Sequence, residues 1–497
     1  MEETEVPCFE SLSGDLQTEV CVVGAGIVGL STAYLLAQEG KSVVLLEAGV
    51  IGRGETSRTT AHLSNALDDR YYEIERLFGE DGAARAQQSH AQAVDLIEKI
   101  IRNRSIDCDF TRVDGFLFLS PGQSEDELDR ELNAARRAGV IGVDRIARAP
   151  IDFETGPCLR FPNQAQFHPL KYLTGLANAF TDLGGRIFTN TRVENVHGGS
   201  QPRTKTLKGH TVRSQAIVLG TNIPIDDNLT IHARQACYRT YVIGARIPWG
   251  AIPRALYWDT VDPYHYVRLK SARAPDNPAG FDTLIVGGED HKQGESDDGE
   301  GRFERLEKWT RARFPIEEVT SRWSGMVCES ADGLAFLGRD NVEENVYIAT
   351  GDSGQGMTHG AIAGMLITDQ ICNRQNGWTA LYNPSRVTAR AVGEYLKGNA
   401  DVVSELLEWL TPGAVKSEDS IAPGSGAIVR RGLGKVAVYR DEQGEFHECS
   451  ATCTHLGCIV SWNSTERSWD CPCHGSRFDT DGKVLRGPAT HDLEKAE

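Results

Sequence analysis

Cys453-Thr454-His455-Leu456-Gly457-Cys458 and Cys471-Pro472-Cys473-His474-Gly475-Ser476 set out two thiols and two imidazoles as Cys-x-His, a gap of about fifteen residues, then Cys-x-x-His. Two thiolates on one iron and two imidazoles on the other make one of the ligand sets of a [2Fe–2S] cluster. Mixed His/Cys loops also bind zinc or form a disulfide-only module, and spacing alone leaves both open. Gly475 and Ser476 follow the last histidine, where a backbone N–H and a hydroxyl can bond to cluster sulfur.

This loop pair resembles that of the bc-complex type of Rieske domain. The resemblance implies that Cys453 and Cys471 ligate one iron, and His455 and His474 the other. Cys458 and Cys473 stand at matching places in the two loops and could pair as a disulfide that pins them. Gly487-Pro488-Ala489 is similar to the proline loop that shields the cluster. High-potential relatives have a Tyr two residues after the Gly-Ser serine, donating to a ligand sulfur. Here that position is Phe478, so the expected potential lies below that of respiratory centres.

A second chemistry is written near the start. Glu19-Val20-Cys21-Val22-Val23 reads as a buried strand and runs straight into Gly24-Ala25-Gly26-Ile27-Val28-Gly29. A helical stretch from Leu30 to Glu39 follows, then a second apolar strand, Ser42 to Leu46, closed by Glu47. In such a βαβ unit Gly24 permits the tight turn, Gly26 lets the backbone approach a pyrophosphate, and Gly29 allows close helix packing. The helix N-terminus offers N–H donors to the diphosphate, and Glu47 can accept from ribose hydroxyls. The motif itself does not separate NAD from FAD.

Glu47-Ala48-Gly49 followed by Gly54-Glu55-Thr56-Ser57-Arg58-Thr59-Thr60-Ala61-His62 resembles the D-amino-acid oxidase-like flavoproteins, which include glycine and sarcosine oxidases. The resemblance implies FAD, contacted by Thr56, Ser57 and Arg58, with the adenine near the backbone at Val193. It also implies a closing turn over the flavin at Gly351, Gly354, Gly356, Met357 and Thr358. With Asp332-Gly333 it covers roughly Val20 to Ile371. His62 does not align with the histidyl-flavin attachment site of the family. A lysine tied to oxygen activation in the sarcosine-oxidase branch is replaced by Thr358, which fits a flavin that does not pass electrons to O2.

The fold expected is therefore an α/β Rossmann-like FAD-binding domain with an antiparallel β-sheet substrate domain, plus a small all-β Rieske domain at the C-terminus. The boundaries expected are 1–411 for the oxidoreductase, with FAD-binding parts near 18–70, 170–225 and 325–375 and a substrate sheet near 232–322. Residues 412–425, rich in Ser, Pro and Gly, read as a linker, and 426–497 as the cluster domain. Residues Gly156 to His168 read as irregular, and Pro384 to Leu410 as largely helical. Candidate catalytic residues are Arg58, Tyr264, His265 and Arg268, with Tyr241 and His291 as further pocket lining. An Arg suits a carboxylate and a His or Tyr an amine proton.

Composition bounds the partners. The 497 residues carry 52 basic and 70 acidic side chains, a net charge of −18, which argues against nucleic acid or an anionic membrane. No apolar run approaches the roughly 20 residues of a membrane span, and Met1 to Glu10 shows no signal-peptide core, so a cytoplasmic location is expected. Five of the 12 cysteines fall between Cys449 and Cys473, and the scattered ones read as reduced core residues. Only one dinucleotide fingerprint is present, which argues against a pyridine-nucleotide reductase. The expected function is an FAD-dependent dehydrogenase oxidising a small amine or amino acid. Its electrons would pass one at a time to the fused [2Fe–2S] cluster and on to an external protein or quinone-like acceptor. The alternatives are an O2-using amine oxidase with a structural or sensing cluster, and a redox relay without a small-molecule substrate.

Overall fold

The computed structural model describes residues 4–120, 122–225, 229–271, 280–294, 296–388, 409, 411–415, 417–432 and 434–496. Its organising sheet has six strands, in the order Phe336–Arg339, Val346–Thr350, Ala216–Leu219, Val20–Val23, Val43–Leu46, Arg186–Phe188. All neighbours run parallel except the Phe336–Arg339 edge. The three central strands, Ala216–Leu219, Val20–Val23 and Val43–Leu46, are apolar and buried at every position because both faces are covered. Val20, Val22, Val43 and Leu45 pack into the core shared with helices Ile27–Gln38 and Gly356–Ile371. Cys21, Val23, Val44 and Leu46 pack instead on Val193, Val196 and Val212 of a small four-stranded sheet.

The second sheet has nine strands and is wider than the sequence implied. The segment 232–322 supplies its antiparallel centre, with Gln235–Pro248 paired to both Phe281–Lys292 and Glu318–Ser330. Thr111–Phe118 and Cys158–Gln166 join from the first half of the chain, the former parallel to Leu256–Asp259. Residues 158–166 thus form a strand where an irregular segment was expected. Pro162-Asn163 reads locally as a turn, and Asn163 does have φ of 62°. The pairing absorbs that kink as a register shift between Val113 and Gly115. Helix Gly299–Arg311 covers the far face through Phe303 and Leu306.

The C-terminal unit is all β: a three-stranded sheet, Ser425–Arg431, Gly434–Arg440 and Phe446–Ser450, and a four-stranded one from Ser461–Asn463 to Val484–Arg486. Trp469 and Phe478 fill its core. The stretch expected as a linker belongs to this unit in part. Ala414 N donates to Ile428 O, Val415 bridges Val429, and Ile421 is buried with Val436 and Val438. Two apolar residues in a polar stretch are enough to dock it. The expected helix over Pro384 to Leu410 lies mostly outside the described residues; Pro384 to Thr388 are not helical. Among the described residues no helix is long and apolar enough to cross a membrane.

Candidate functional site: a dinucleotide cradle roofed by a cluster domain

The first glycine turn is built by close backbone contact. Gly24 has φ of 97°, and a Cβ there would fall 2.7 Å from Gly220 O. A Cβ on Gly29 would fall 1.8 Å from Gly24 O, so strand and helix meet only because both are glycine. Gly26 is different: a Cβ there would meet only Thr56 Oγ1, at 3.2 Å. Helix Ile27–Gln38 starts at Gly26 with no side-chain cap, and Ile27 N donates to Thr56 Oγ1 at 3.2 Å. Its first N–H groups therefore open onto a cavity of about 650 Å³. Glu47 closes the strand on the same cavity, accepting from Ala25 N at 2.7 Å and Gly49 N at 2.8 Å. Burial raises its pKa against those two bonds. An open helix N-terminus, a glycine that leaves room for an approaching group and an acid beside them fit a dinucleotide.

Thr56, Arg58, Val193, Gly354, Gly356, Met357 and Thr358 all line this cavity. Ser57 and Gly351 do not. The Ser57 hydroxyl turns back to donate to Gly54 O at 2.9 Å within its own 3-10 turn. Gly351, at φ of 70°, packs behind the turn against Ser330 and Phe336. Arg58 reaches the wall, but its Nη1 is engaged with Ser324 O at 2.7 Å and Glu466 Oε1 at 2.8 Å.

The nine-stranded sheet presents Thr240, Trp258, Tyr264 and Tyr266 to the cavity. The Tyr264 and Tyr266 rings lie 5.5 Å apart, and Tyr266 OH is 2.8 Å from Thr240 Oγ1. His265 lies between them in sequence and so faces the other side. Its Nδ1 is 3.0 Å from Asp259 Oδ2 and its ring stacks on Trp309 at 4.2 Å. Tyr241 and His291 likewise stack on each other at 5.8 Å in the far core. Arg268 is buried behind the wall, where burial lowers its pKa to about 10 and Nε has no partner among the described residues. Burial and the Arg268 charge hold His62, which does line the cavity, down to about 3.

Three carboxylates here were not singled out in the sequence. Asp68 and Asp352 line the cavity, and Asp290 lies close by. Burial raises each to about 7, and the Asp68 charge adds to the rise at the other two. A lone carboxylate in a loop, a strand or a turn carries no local signal; only the fold gathers these.

The cluster loops are near copies of each other. Cys453 N donates to Cys458 O at 2.8 Å, and Cys471 N to Ser476 O at 2.8 Å. Gly457 N returns to Cys453 O and Gly475 N to Cys471 O, with both glycines at positive φ. The Cys458–Cys473 disulfide joins the loops. A hydrogen bond from Cys471, against burial, lowers Cys453 to about 7, helped by the His455 N–H and Ser476. The His455 and His474 rings lie 5.1 Å apart. Both nitrogens of His455 and Nδ1 of His474 are buried without a partner among the described residues. Burial holds both imidazoles neutral, down to about 3. Two adjacent thiols and two neutral, unpartnered imidazoles fit a [2Fe–2S] cluster.

The cluster domain forms part of the cavity wall, through Glu466, Arg477 and the segment from Val484 to Thr490. Arg239 Nη2 meets Asp470 Oδ2 at 2.5 Å across the junction, and Arg486 pairs with Glu55. Met326 lines the cavity, and a methyl on Gly475 would fall 2.6 Å from its Sδ.

Fold and site together define a flavoprotein oxidoreductase with a built-in iron–sulfur domain. The chain belongs to the FAD dependent oxidoreductase family, whose model matches residues 19–370, and residues 411–497 match the Rieske [2Fe-2S] domain. It is 32% identical to the Rieske 2Fe-2S iron-sulfur protein YhfW of Bacillus subtilis (strain 168), over 99% of this chain and 96% of that one. It is 26% identical to gamma-glutamylputrescine oxidoreductase of Escherichia coli (strain K12), over 73% of this chain and 85% of that one. Among solved structures it is similar to glycine oxidase from Geobacillus kaustophilus, with a TM-score of 0.62, 18% identity, and coverage of 75% of this chain and 99% of that one. The domain therefore binds FAD, and the Rieske domain holds a [2Fe-2S] cluster.

Proposed function

We propose that the chain is an FAD-dependent amine dehydrogenase whose electrons leave through its own cluster domain to an external one-electron acceptor. When bound, FAD supplies hydride acceptance from a CH–NH bond and the cluster supplies single-electron transfer. The observation that carries this is the single layer of side chain between the two sites. Met326 faces the cavity on one side and the Gly475 turn of the second ligand loop on the other.

The cavity favours an amine over an amino acid. Asp68 and Asp352 provide negative charge, and Trp258, Tyr264 and Tyr266 provide aromatic faces, which together suit an ammonium group. Arg58, the fork suggested for a carboxylate, is held by Glu466. A relative named for gamma-glutamylputrescine agrees with an amine. The test is anaerobic mixing with a panel of diamines, monoamines and amino acids while the flavin and cluster bands are followed. Reduction of both by amines is expected. Flavin bleaching with a cluster that stays oxidised would refute the electron route, and faster reduction by amino acids would refute the substrate class.

Asp68→Asn should lower kcat/KM for amines by about tenfold to a hundredfold, the loss of one partly screened charge contact. Because Asp68 ionises near pH 7, amine binding should tighten as pH rises through 7. The variant should flatten that limb of the KM–pH profile in part, leaving the share carried by Asp352; an unchanged profile would remove Asp68 from the site. Phe478→Tyr should raise the cluster midpoint potential by about 60 mV, since a new hydrogen bond to a ligand sulfur favours the more negative, reduced state. A redox titration with no upward shift would count against the role assigned to this position.

A further inference from the structure

His232 closes the short helix Leu229–His232 of the flavin domain, and no motif marks it. It is 2% exposed. Its ring centroid lies 4.9 Å from that of His455 and 5.1 Å from that of His474, at 77° and 63°. The two ligand rings are themselves 5.1 Å apart. Three imidazoles thus form a near-equilateral set of edge-to-face contacts, one from the flavin domain and two from the ligand loops. Beside them the Gly475 turn sits in an apolar notch of Ile223, Cys237, Met326 and Cys328. A methyl on Gly475 would fall 3.2 Å from Cys237 Sγ and 3.3 Å from Ile223 Cδ1. The histidine side of the cluster site is therefore covered by the chain's own flavin domain.

We infer that His232 is a positioning residue that seats the two histidine ligands against the flavin domain, making that edge the port for electrons from within the chain and closing it to external partners. An external acceptor then has to dock on another face of the cluster domain. The port assignment rests on the function proposed above, whereas the seal is tested without any amine substrate.

The first test uses the native holoprotein and diethylpyrocarbonate with peptide mass spectrometry. His197 and His491, both exposed, should be modified, and His232, His455 and His474 should not. Modification of His455 or His474 in the native protein would overturn the seal. The second uses His232→Ala and His232→Phe with iron and flavin contents measured. Anaerobic reduction of the cluster by dithionite should become about tenfold faster in the Ala variant, because the surrounding shell governs solvent access. The EPR g-values of its reduced cluster should shift, while Phe, which keeps a ring in place, restores the slow rate. An Ala variant that keeps its cluster with the native rate and g-values would overturn the role. So would loss of the cluster from both variants, since a ring alone would then not seat the ligands. If amines reduce the flavin but the seal fails these tests, only the port is lost; if the seal holds and amines do nothing, the function is what fails.

Discussion

Cys453→Ser is expected to abolish the cluster and spare the flavin. Cys453 Sγ is one of two thiols at the junction of the ligand loops, and a hydrogen bond from Cys471 holds it below the usual thiol range. A serine hydroxyl has no comparable anion to offer, so cluster affinity should fall by at least about 100-fold, the upper end of what even an outer contact costs. The loops themselves should survive. Their internal bonds from Cys471 N to Ser476 O and from Gly457 N to residue 453 O use backbone, and the Cys458–Cys473 disulfide does not involve Cys453. The FAD cradle draws on Gly24, Gly26, Glu47 and Thr56, none of them in the cluster domain. Iron and acid-labile sulfide assays, with flavin absorbance on the same sample, check this. A variant that keeps its iron would remove Cys453 from the ligand set.

Arg239→Met should loosen the cluster domain by about 1–3 kcal/mol, the cost of a lost buried, charged hydrogen bond, because Asp470 keeps its pairing with Arg477 at 3.1 Å. Arg239 and Asp470 are each 3% exposed and meet across the junction at 2.5 Å. Burial pushes the Asp470 carboxyl up, but Arg477 and Arg239 more than offset it and hold it below the usual range. Asp470 also accepts from Asn463 Nδ2 at 2.8 Å and Ser468 Oγ at 2.7 Å, so it is fixed within its own domain before Arg239 reaches it. Arg239 in turn donates to Ser324 Oγ at 2.9 Å. Removing the guanidinium leaves both acceptors short of a donor at the face that closes the cavity. The expected result is a separate, earlier thermal transition of the C-terminal domain and slower cluster reduction after the flavin, with both cofactors still present. A single transition at the native Tm and an unchanged internal rate would show that this pair does not hold the domains.

Both predictions turn on a distinction visible throughout the molecule. Contiguous residues were enough for the turn Gly24 to Gly29, the acid Glu47 and both ligand loops, because each has backbone contacts inside its own motif, Gly29 on Gly24 O among them. The strand reading held for Val20 to Val23, though it took the structure to show that alternate residues enter two different cores. It could not say whether Tyr264 or His265 faces the cavity, since strand alternation has no absolute sense until a partner sheet covers one side. Nor could it assemble Asp68, Asp290 and Asp352, or bring Glu466 to Arg58.

The chain's order therefore determined by itself which cofactors this protein is built to hold, because phosphate cradles and metal-ligand loops are short-range constructions. Only the tertiary structure decided how the two sites meet. Met326 as the shared wall, His232 against the ligand rings and Arg239 against Asp470 are pairings between distant segments. They are selected by which surfaces can be buried together, and that choice leaves no local pattern in the residues that make it.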